Sequence, residues 1–487
     1  MLYYHQPCFF LLRLLYNQSK NYYPAVHPEI PRGYVGLVGR LTYNYATKYL
    51  IDFNMGYNGS ENFAEGHRFG FLPAASVGWI LSEEKFMKNQ NVIDYLKLRA
   101  SYGVVGNDRM DERRFLYLPD SYAFGGGYNF GVNTPTNQPG AFEDKTGNPL
   151  VTWEMAYKQN YGFDIIFLQD RLKVNFDYFY EKRKNQLITR NRVPSCMAIQ
   201  LPAVNMGERE NKGYEIAVSW KDEINSDWRY FVNMNLAYAR NKILEMDEVP
   251  PQEDYMRRTG LPEGQPFGRI FWGFYDETAN ERYKQQFGTD IANHGVALKP
   301  GDCVYVDLNH DGVINAFDQK AIGYSDRPEY NGGVTLGFSY RNFDFSMLWN
   351  YAWNSSRMLR GTFREPLGDI NSRSLMQSMY DNRWTPETAA TATLPRATLD
   401  NKINNYVDSD LWLVNANYLR LKNIEMSYTF DSKSLKNVGV DQFRIFLSGY
   451  NLLTFDKLKI ADPESNTGMN PEYPVMRVFN LGIKIGF

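Results

Sequence analysis

The feature that most constrains this chain is an alternation of apolar and polar side chains with a period of two residues. In residues 172–182 the apolar side consists of Val174, Phe176, Tyr178 and Tyr180, and the polar side of Lys173, Asn175, Asp177 and Glu181. Phe179 is the one exception, an aromatic residue on the polar side. Successive side chains of a strand point to opposite faces, whereas a helical pattern repeats every 3.6 residues. The alternation therefore predicts a β-strand with one apolar and one polar face.

The same pattern recurs along most of the chain and predicts antiparallel hairpins. The paired segments are 161–168 with 172–182, 212–220 with 228–240, 333–340 with 343–353, and 417–430 with 442–453. Further strands fit at 34–45, 49–57, 74–81, 96–105 and 477–487. This makes about a dozen strands or slightly more, many of them longer than the five or six residues that are typical of soluble sheets.

Three long connections separate some of these strands, at residues 107–149, 245–330 and 354–410. Long antiparallel strands with short turns at one end and long loops at the other are typical of outer-membrane barrels. We therefore predict an all-β fold, a partial antiparallel transmembrane β-barrel with long extracellular loops. A soluble β-sandwich or a propeller with an aromatic core is the alternative, although a propeller is less favoured because no repeat of 40–50 residues is visible.

Composition narrows the possible classes of protein. Lysine plus arginine is 53 and aspartate plus glutamate is 55, so the net charge of −2 argues against a nucleic-acid binder. Aromatic residues make up 16% of the chain, which excludes a disordered protein. The mean hydropathy of −0.50 argues against a bundle of membrane helices, whereas the alternation of a membrane barrel cancels in such an average.

Residues 1–31 do not show the alternation and are predicted to be an irregular N-terminal segment. The apolar run at residues 9–15 is too short for a membrane helix. No lysine or arginine precedes this run and no small-x-small cleavage site follows it, so it does not fit a signal peptide either. Because a membrane barrel must be exported, we expect the chain to be a fragment or to have a misplaced start.

The sharpest local motif is a calcium-loop pattern in residues 307–318. Oxygen-bearing residues stand at positions one, three and five, with Gly312 at position six. The predicted calcium ligands are Asp307, Asn309, Asp311, the carbonyl of Val313, and Asp318. Ile314 would anchor the loop in apolar packing. The alternative is a turn rich in Asp and Asn that holds itself by side-chain-to-backbone hydrogen bonds without a metal.

A few other residues are candidates for function. Four aromatic residues of the first long connection are suited to stacking on sugar rings, namely Tyr122, Phe124, Tyr128 and Phe130. The C-terminal Phe487 ends an alternating strand, which is similar to the signal that the barrel insertion machinery reads. The three cysteines and five histidines are scattered, so they predict neither a zinc site nor a disulfide framework. No catalytic constellation is visible.

Short motifs in order along residues 32–487 resemble the C-terminal barrel portion of SusC/RagA-type TonB-linked outer-membrane proteins. They include RLTYNY at 40–45, YNGSENF at 57–63, RFGFLP at 68–73, SVGW at 76–79, LKLRASYG at 96–103, GN at 106–107, WE at 153–154, NKGYE at 211–215, EGQP at 263–266, YLRLKNI at 418–424, GYNLLT at 449–454 and DPE at 462–464. Each motif is weak alone, but their number, order and spacing are specific.

The resemblance implies a Gram-negative outer-membrane transporter for oligosaccharides or peptides. In that family a plug domain fills the barrel, the TonB complex supplies energy, and a SusD-like surface lipoprotein helps to capture substrate. Neither a plug nor a TonB box is recognisable here, so coupling to TonB is expected only through a missing N-terminal part. The alternatives are a secreted or surface all-β carbohydrate-binding or adhesion module and, less favoured, a surface enzyme such as a glycoside hydrolase.

Overall fold

The structure is a computed structural model. It describes residues 8–22, 31–108, 114–118, 123–125, 127–132, 136–142, 146–193, 201–366, 375–430, 439–465 and 472–487.

Fourteen long strands form one antiparallel sheet in which each strand neighbours the next one along the chain. They are β1 (Cys8–Asn21), β2 (Arg32–Tyr45), β3 (Tyr49–Ser60), β4 (Phe69–Ile80), β5 (Ile93–Asn107), β6 (Glu154–Phe167), β7 (Leu172–Ile188), β8 (Val204–Asn225), β9 (Trp228–Glu245), β10 (Tyr330–Tyr340), β11 (Phe343–Trp353), β12 (Tyr418–Phe430), β13 (Gln442–Asp456) and β14 (Val478–Gly486). This order confirms the predicted all-β, antiparallel fold and its succession of hairpins.

Short elements fill the long connections. The short strands are Ala123–Phe124, Tyr128–Phe130, Thr136–Gln138, Ala141–Phe142, Phe267–Gly268, Phe271–Phe274, Cys303–Tyr305, Lys320–Ala321, Ser356–Met358 and Leu413–Asn415. The α-helices are α1 (Ala279–Phe287), α2 (Gln377–Asn382) and α3 (Lys402–Asn405), and 3-10 turns lie at Leu81–Glu83, Lys85–Met87, Asp254–Met256 and Gly361–Phe363. Within the described ranges no helix is long and apolar enough to cross a membrane.

Two of the predicted hairpin turns, at residues 341–342 and 169–171, lie where the sequence predicted them. Arg341 and Asn342 alone join β10 to β11, and Tyr340 pairs with Phe343 across the turn. Arg341 has a φ of 52°, the left-handed conformation that such tight turns require. The turn between β6 and β7 likewise uses positive φ at Gln169 and Asp170.

The prediction for residues 1–31 was wrong over residues 8–21, which form β1. This strand pairs with β2 along its whole length, from Cys8 opposite Tyr45 to Asn21 opposite Arg32. The segment lacks the alternating pattern because apolar residues follow one another in its first half. Backbone hydrogen bonds to β2 define the strand, and they leave no trace in the order of side chains.

The chain divides into two compact units, residues 1–216, 239–249 and 259–261 in unit 1 and the remaining residues in unit 2. In unit 1 one face of the sheet is apolar and exposed. A row of directly opposed residues crosses β3 to β7 through Ile51, Val77, Ala100, Tyr161 and Tyr178. Val77 is 54% exposed. The opposite face is polar, and there the Arg99 guanidinium contacts Asp164 and Asp177.

Unit 2 has the same two-faced sheet. Its apolar row crosses β9 to β14 through Tyr230, Phe338, Phe345, Met426, Leu447 and Leu481. Leu481 is 75% exposed. On the other face Arg444 donates to Glu425 Oε1 (2.9 Å) and Ser427 Oγ (2.8 Å). A sandwich would bury such apolar faces in a dry core, whereas a membrane barrel presents them to lipid. These faces do not support the sandwich alternative.

Candidate functional site

The second and third long connections fold together in unit 2, and we call the described parts of residues 262–329 and 354–417 the loop body. Asp302, which is 0% exposed, joins the two connections. Its carboxylate accepts hydrogen bonds from Arg396 Nε (2.6 Å), Asn401 Nδ2 (2.5 Å), Asn405 Nδ2 (2.8 Å) and the Lys299 backbone N–H (2.9 Å). Several donors around one buried carboxylate satisfy its charge and fix the connections to each other.

The loop body has its own core. Tyr305 and Trp412 are buried, and each donates a hydrogen bond to the segment around α3: Tyr305 Oη to the Asn404 carbonyl (2.8 Å) and Trp412 Nε1 to the Asn405 carbonyl (2.9 Å). Each aromatic ring thus removes a large apolar area from water while its polar atom keeps a partner. A connection with such a core is a folded element able to shape a binding site.

His294 is a buried histidine of this core. Its Nδ1 lies 2.8 Å from the Ala292 carbonyl, and its Nε2 accepts the Tyr305 backbone N–H at 3.0 Å. An acceptor role for Nε2 requires the neutral ring with its proton on Nδ1. Burial lowers the pKa of His294 to about 4, because the charged form would lose its hydration.

A cavity of about 380 Å³ opens at the loop body in unit 2 and is lined by four separate segments: Arg258 with residues 264–267, and residues within 319–326, 356–360 and 408–413. This volume falls in the range of about 300–1,000 Å³ that is typical of small-ligand sites. The Arg258 guanidinium lies 4.4 Å over the Phe267 ring at one side. At another side Asp408 is held by Arg360 and Arg364, both at 2.6 Å.

Other polar groups at this cavity are open to a ligand. Gln265 donates through Nε2 to the Ile322 carbonyl at 2.9 Å, which leaves its own side-chain carbonyl as an acceptor. Asp326 is an exposed carboxylate whose contact with Arg357, at 3.6 Å, is loose. The sequence analysis missed this site because its residues come from four distant segments with no common local pattern.

The predicted calcium loop has the backbone shape that the motif requires. Gly312 has a φ of 81°, and Ile314 is buried in the loop-body core. Asp307 accepts the backbone N–H groups of His310 and Gly312, both at 2.8 Å. The side chain at position twelve, Asp318, is fully buried.

The remaining carboxylates of this loop also accept backbone N–H groups. Asp318 accepts those of Leu308 (2.9 Å) and Asn315 (2.8 Å), and Asp311 accepts that of Val313 (2.8 Å). Among the described residues no three His, Cys, Asp or Glu side chains form a group that could hold a metal ion. Side-chain-to-backbone hydrogen bonds therefore account for the loop as it stands, and calcium binding stays a prediction.

The predicted aromatic residues are only partly within the described chain. Tyr122 lies outside the described residues, as does the side chain of Phe124. Tyr128 (70% exposed) and Phe130 lie on a short strand with their ring centroids 4.9 Å apart. Phe487 is exposed directly after the last strand. Its role in assembly and the sugar-stacking role of the aromatic residues remain predictions.

Several of the quoted sequence motifs meet each other at strand ends of unit 1. Asn107 Nδ2 donates to Glu154 Oε2 at 2.9 Å, which joins the GN motif to the WE motif. Trp153 Nε1 donates to the Arg68 carbonyl at 3.2 Å, and its ring centroid lies 5.4 Å from that of Phe63. These motifs thus form structural joints between strands.

A second joint connects two motifs of unit 2. Arg420, fully buried on β12, donates to Asp462 Oδ2 and Glu464 Oε2, both at 2.6 Å, and to Thr454 Oγ1 at 3.1 Å. Tyr418 Oη donates to the other oxygen of Glu464 at 2.6 Å. The YLRLKNI motif therefore holds the DPE motif, and with it the segment that follows β13.

A two-faced antiparallel sheet of long strands, with short turns and a folded loop body, defines a β-barrel protein of the outer membrane. Residues 13–452 match the family model for the TonB dependent receptor-like β-barrel. The chain belongs to this family, and it is an outer-membrane protein.

Similar proteins agree with this assignment. The chain is 28% identical over 480 residues to TonB-dependent receptor P3 of Formosa agariphila, covering 93% of this chain and 45% of that protein. It is 27% identical over 468 residues to TonB-dependent receptor SusC of Bacteroides thetaiotaomicron, covering 93% and 44%. The RagAB peptide importer in its open-open state matches with a TM-score of 0.72 at 22% identity, over 94% of this chain and 47% of that one. The chain thus spans under half the length of the curated relatives.

Proposed function

We propose that the chain is the barrel part of a TonB-dependent importer that takes up oligosaccharides or peptides across the outer membrane. The observation that carries the proposal is the family match over residues 13–452. Selective binding by the loops and the polar face of the sheet would be followed by energised release. No bond is made or broken in this function.

The partners are part of the proposal. A SusD-like surface lipoprotein would deliver substrate at the loop body, and the TonB complex would supply energy. The name of the relative SusC and the description of RagAB as a peptide importer support this assignment. The barrel insertion machinery would recognise Phe487, which is exposed at the end of the last strand.

We also propose a calcium ion for the 307–318 loop, on the chemistry of its donors. Carboxylate, amide and carbonyl oxygens are the ligands that calcium prefers. Each carboxylate oxygen that accepts one backbone N–H keeps a further lone pair for a cation. Bound there, the ion would stabilise the turn at Gly312, next to the core residue Ile314.

Deletion of the gene in its source bacterium tests the importer proposal. The mutant and a complemented strain are grown on single oligosaccharides or peptides as the carbon source. We expect the mutant to lose growth on one class of these nutrients and complementation to restore it. Equal growth of mutant and parent on every nutrient, with the protein present in the parent's outer membrane, would refute the proposal.

A further inference from the structure

We infer that the apolar face of unit 1 carries a binding site for one phospholipid, a phosphatidylethanolamine of the periplasmic leaflet. A groove of about 420 Å³ crosses β3, β4 and β5 on this face. The site differs from the general contact between a barrel and lipid because a charged pair stands at one end of the groove. The inference needs the outer-membrane location of the chain and does not depend on the importer function.

The groove is a low row of side chains between two taller rows. From the turn end inward, the rows of directly opposed residues are Tyr49, Trp79 and Leu98; Ile51, Val77 and Ala100; and Phe53, Ala75 and Tyr102. The middle row is low because the small side chains of Val77 and Ala100 stand between the rings of Trp79 and Tyr102. An apolar groove between bulky side chains fits an acyl chain, which gains by leaving the surrounding lipid for close contacts on several sides.

Aromatic rings mark the end of the groove that lies at head-group depth. The rings of Tyr45, Tyr49 and Trp79 stack in succession, with centroid distances of 6.3 and 6.4 Å. Tyr49 Oη and Trp79 Nε1 both donate to Glu84 Oε1, at 2.8 and 3.2 Å. Tyrosine and tryptophan rings of membrane proteins lie at the level of the lipid head groups. The carboxylate that holds the polar ends of these rings therefore lies at that level too.

The same carboxylate pairs with a lysine. Lys48 Nζ lies 3.1 Å from Glu84 Oε2, and the two side chains are 23% and 15% exposed, so both can be reached from outside. Within the described part of the chain Glu84 is the hydrogen-bond partner of this ammonium, which leaves two of its three N–H groups for phosphate oxygens.

This pair of charges selects the head group. A phosphatidylethanolamine would place its phosphate beside Lys48 and its ammonium beside Glu84, so that each charge meets its opposite. Phosphatidylglycerol and cardiolipin carry no ammonium, and their negative charge would meet Glu84 without compensation.

The position of the groove along the strands selects the leaflet. Lys48 lies in the short turn between β2 and β3, and Glu84 lies in the short connection that follows β4. Short turns of outer-membrane barrels lie on the periplasmic side. The periplasmic leaflet of a Gram-negative outer membrane is made of phospholipid, whereas lipopolysaccharide occupies the other leaflet. The groove therefore faces phospholipid.

Native mass spectrometry of the delipidated full chain in detergent tests the inference. Phosphatidylethanolamine, phosphatidylglycerol and cardiolipin are titrated separately, and the bound lipids are counted per chain. Val77→Trp fills the groove and keeps its surface apolar, and Lys48→Gln removes the ammonium. The matched controls are Leu481→Trp on the exposed apolar face of β14 and Lys173→Gln, which removes a lysine paired with Asp170 beside another short turn.

We expect one phosphatidylethanolamine per chain to bind more tightly than the two anionic lipids. Its affinity should be about tenfold weaker in Val77→Trp and in Lys48→Gln, and unchanged in both controls. Binding that the two groove variants leave unchanged, a preference for an anionic lipid, or the absence of any phosphatidylethanolamine complex would each overturn the inference. Growth of the deletion strain is read separately, so the importer proposal can stand when this lipid site fails.

Discussion

Replacing the carboxylate that joins the two connections of the loop body is predicted to open that body without unfolding the sheet. In Asp302→Asn the side-chain volume is kept, but the negative charge is lost and an NH2 donor replaces one of the two carboxylate oxygens. That amide would face donors at Asn401 Nδ2 (2.5 Å) and the Lys299 backbone N–H (2.9 Å), while Arg396 loses its ion pair.

The magnitude follows from these contacts. Breaking a buried ion pair typically costs about 3–5 kcal/mol, and the lost hydrogen bonds are part of the same cost. Because Arg396 is partly exposed and keeps its contact with Asp400 at 2.8 Å, we expect the lower end, about 3 kcal/mol. A free energy of this size raises the open fraction of the loop body by roughly 100-fold.

Hydrogen–deuterium exchange followed by mass spectrometry measures this opening peptide by peptide. Peptides around residues 299–306 and 396–412 should exchange roughly 100-fold faster in the variant, and those from β10 and β11 should be unchanged. Asp290→Asn is the matched control, since this carboxylate is exposed and its polar partners within the described ranges are Lys284 and Asn280. If exchange in the loop body matched that of the control, the assigned role of Asp302 would be incorrect.

Three further predictions concern His294, the predicted calcium loop and Arg420. His294 has a pKa of about 4 in the folded protein, against 6.5 when unfolded, so the folded ring is neutral at pH 7. Its contribution to the stability of the fold is therefore complete above pH 6.5 and is lost as the pH falls toward 4. The free energy of unfolding of the loop body, measured by tryptophan fluorescence on heating, should fall by about 3 kcal/mol between pH 6.5 and pH 4. In His294→Gln this dependence on pH should be much smaller. Calorimetry with calcium should show binding that Asp307→Ala and Asp311→Ala abolish, and no heat with the parent chain would remove the calcium proposal. Arg420→Met leaves Asp462 without its buried partner, so proteolysis at residues 456–465 should speed up well beyond that of Arg420→Lys.

Much of the sheet was predictable because alternation is a local property of the sequence. The turn at Arg341 and the strands beside it were placed to within a few residues. The strand β1 was missed, since Leu11 and Leu12 follow each other without alternation and backbone pairing with β2 defines the element.

The candidate sites were also predictable only where one short segment of the sequence encodes them. The turn at Gly312 and the buried Ile314 could be predicted because one short segment encodes them. The cavity and the role of Asp302 could not, because their partners lie in the other long connection, as Arg396 does about a hundred positions along the chain. Such contacts are set by the fold of both connections together, which no local pattern records.

The central claim is that one face of the sheet meets lipid and the other meets water. Spin labels at Val77 and at its neighbour Ser76, in a background with the three cysteines replaced by alanine, test it most directly. In lipid bilayers the label at position 77 should be accessible to oxygen and protected from a water-soluble nickel reagent, and the label at position 76 should show the reverse. If both labels were equally accessible to the nickel reagent, or both were shielded from oxygen and nickel alike, the account would be contradicted.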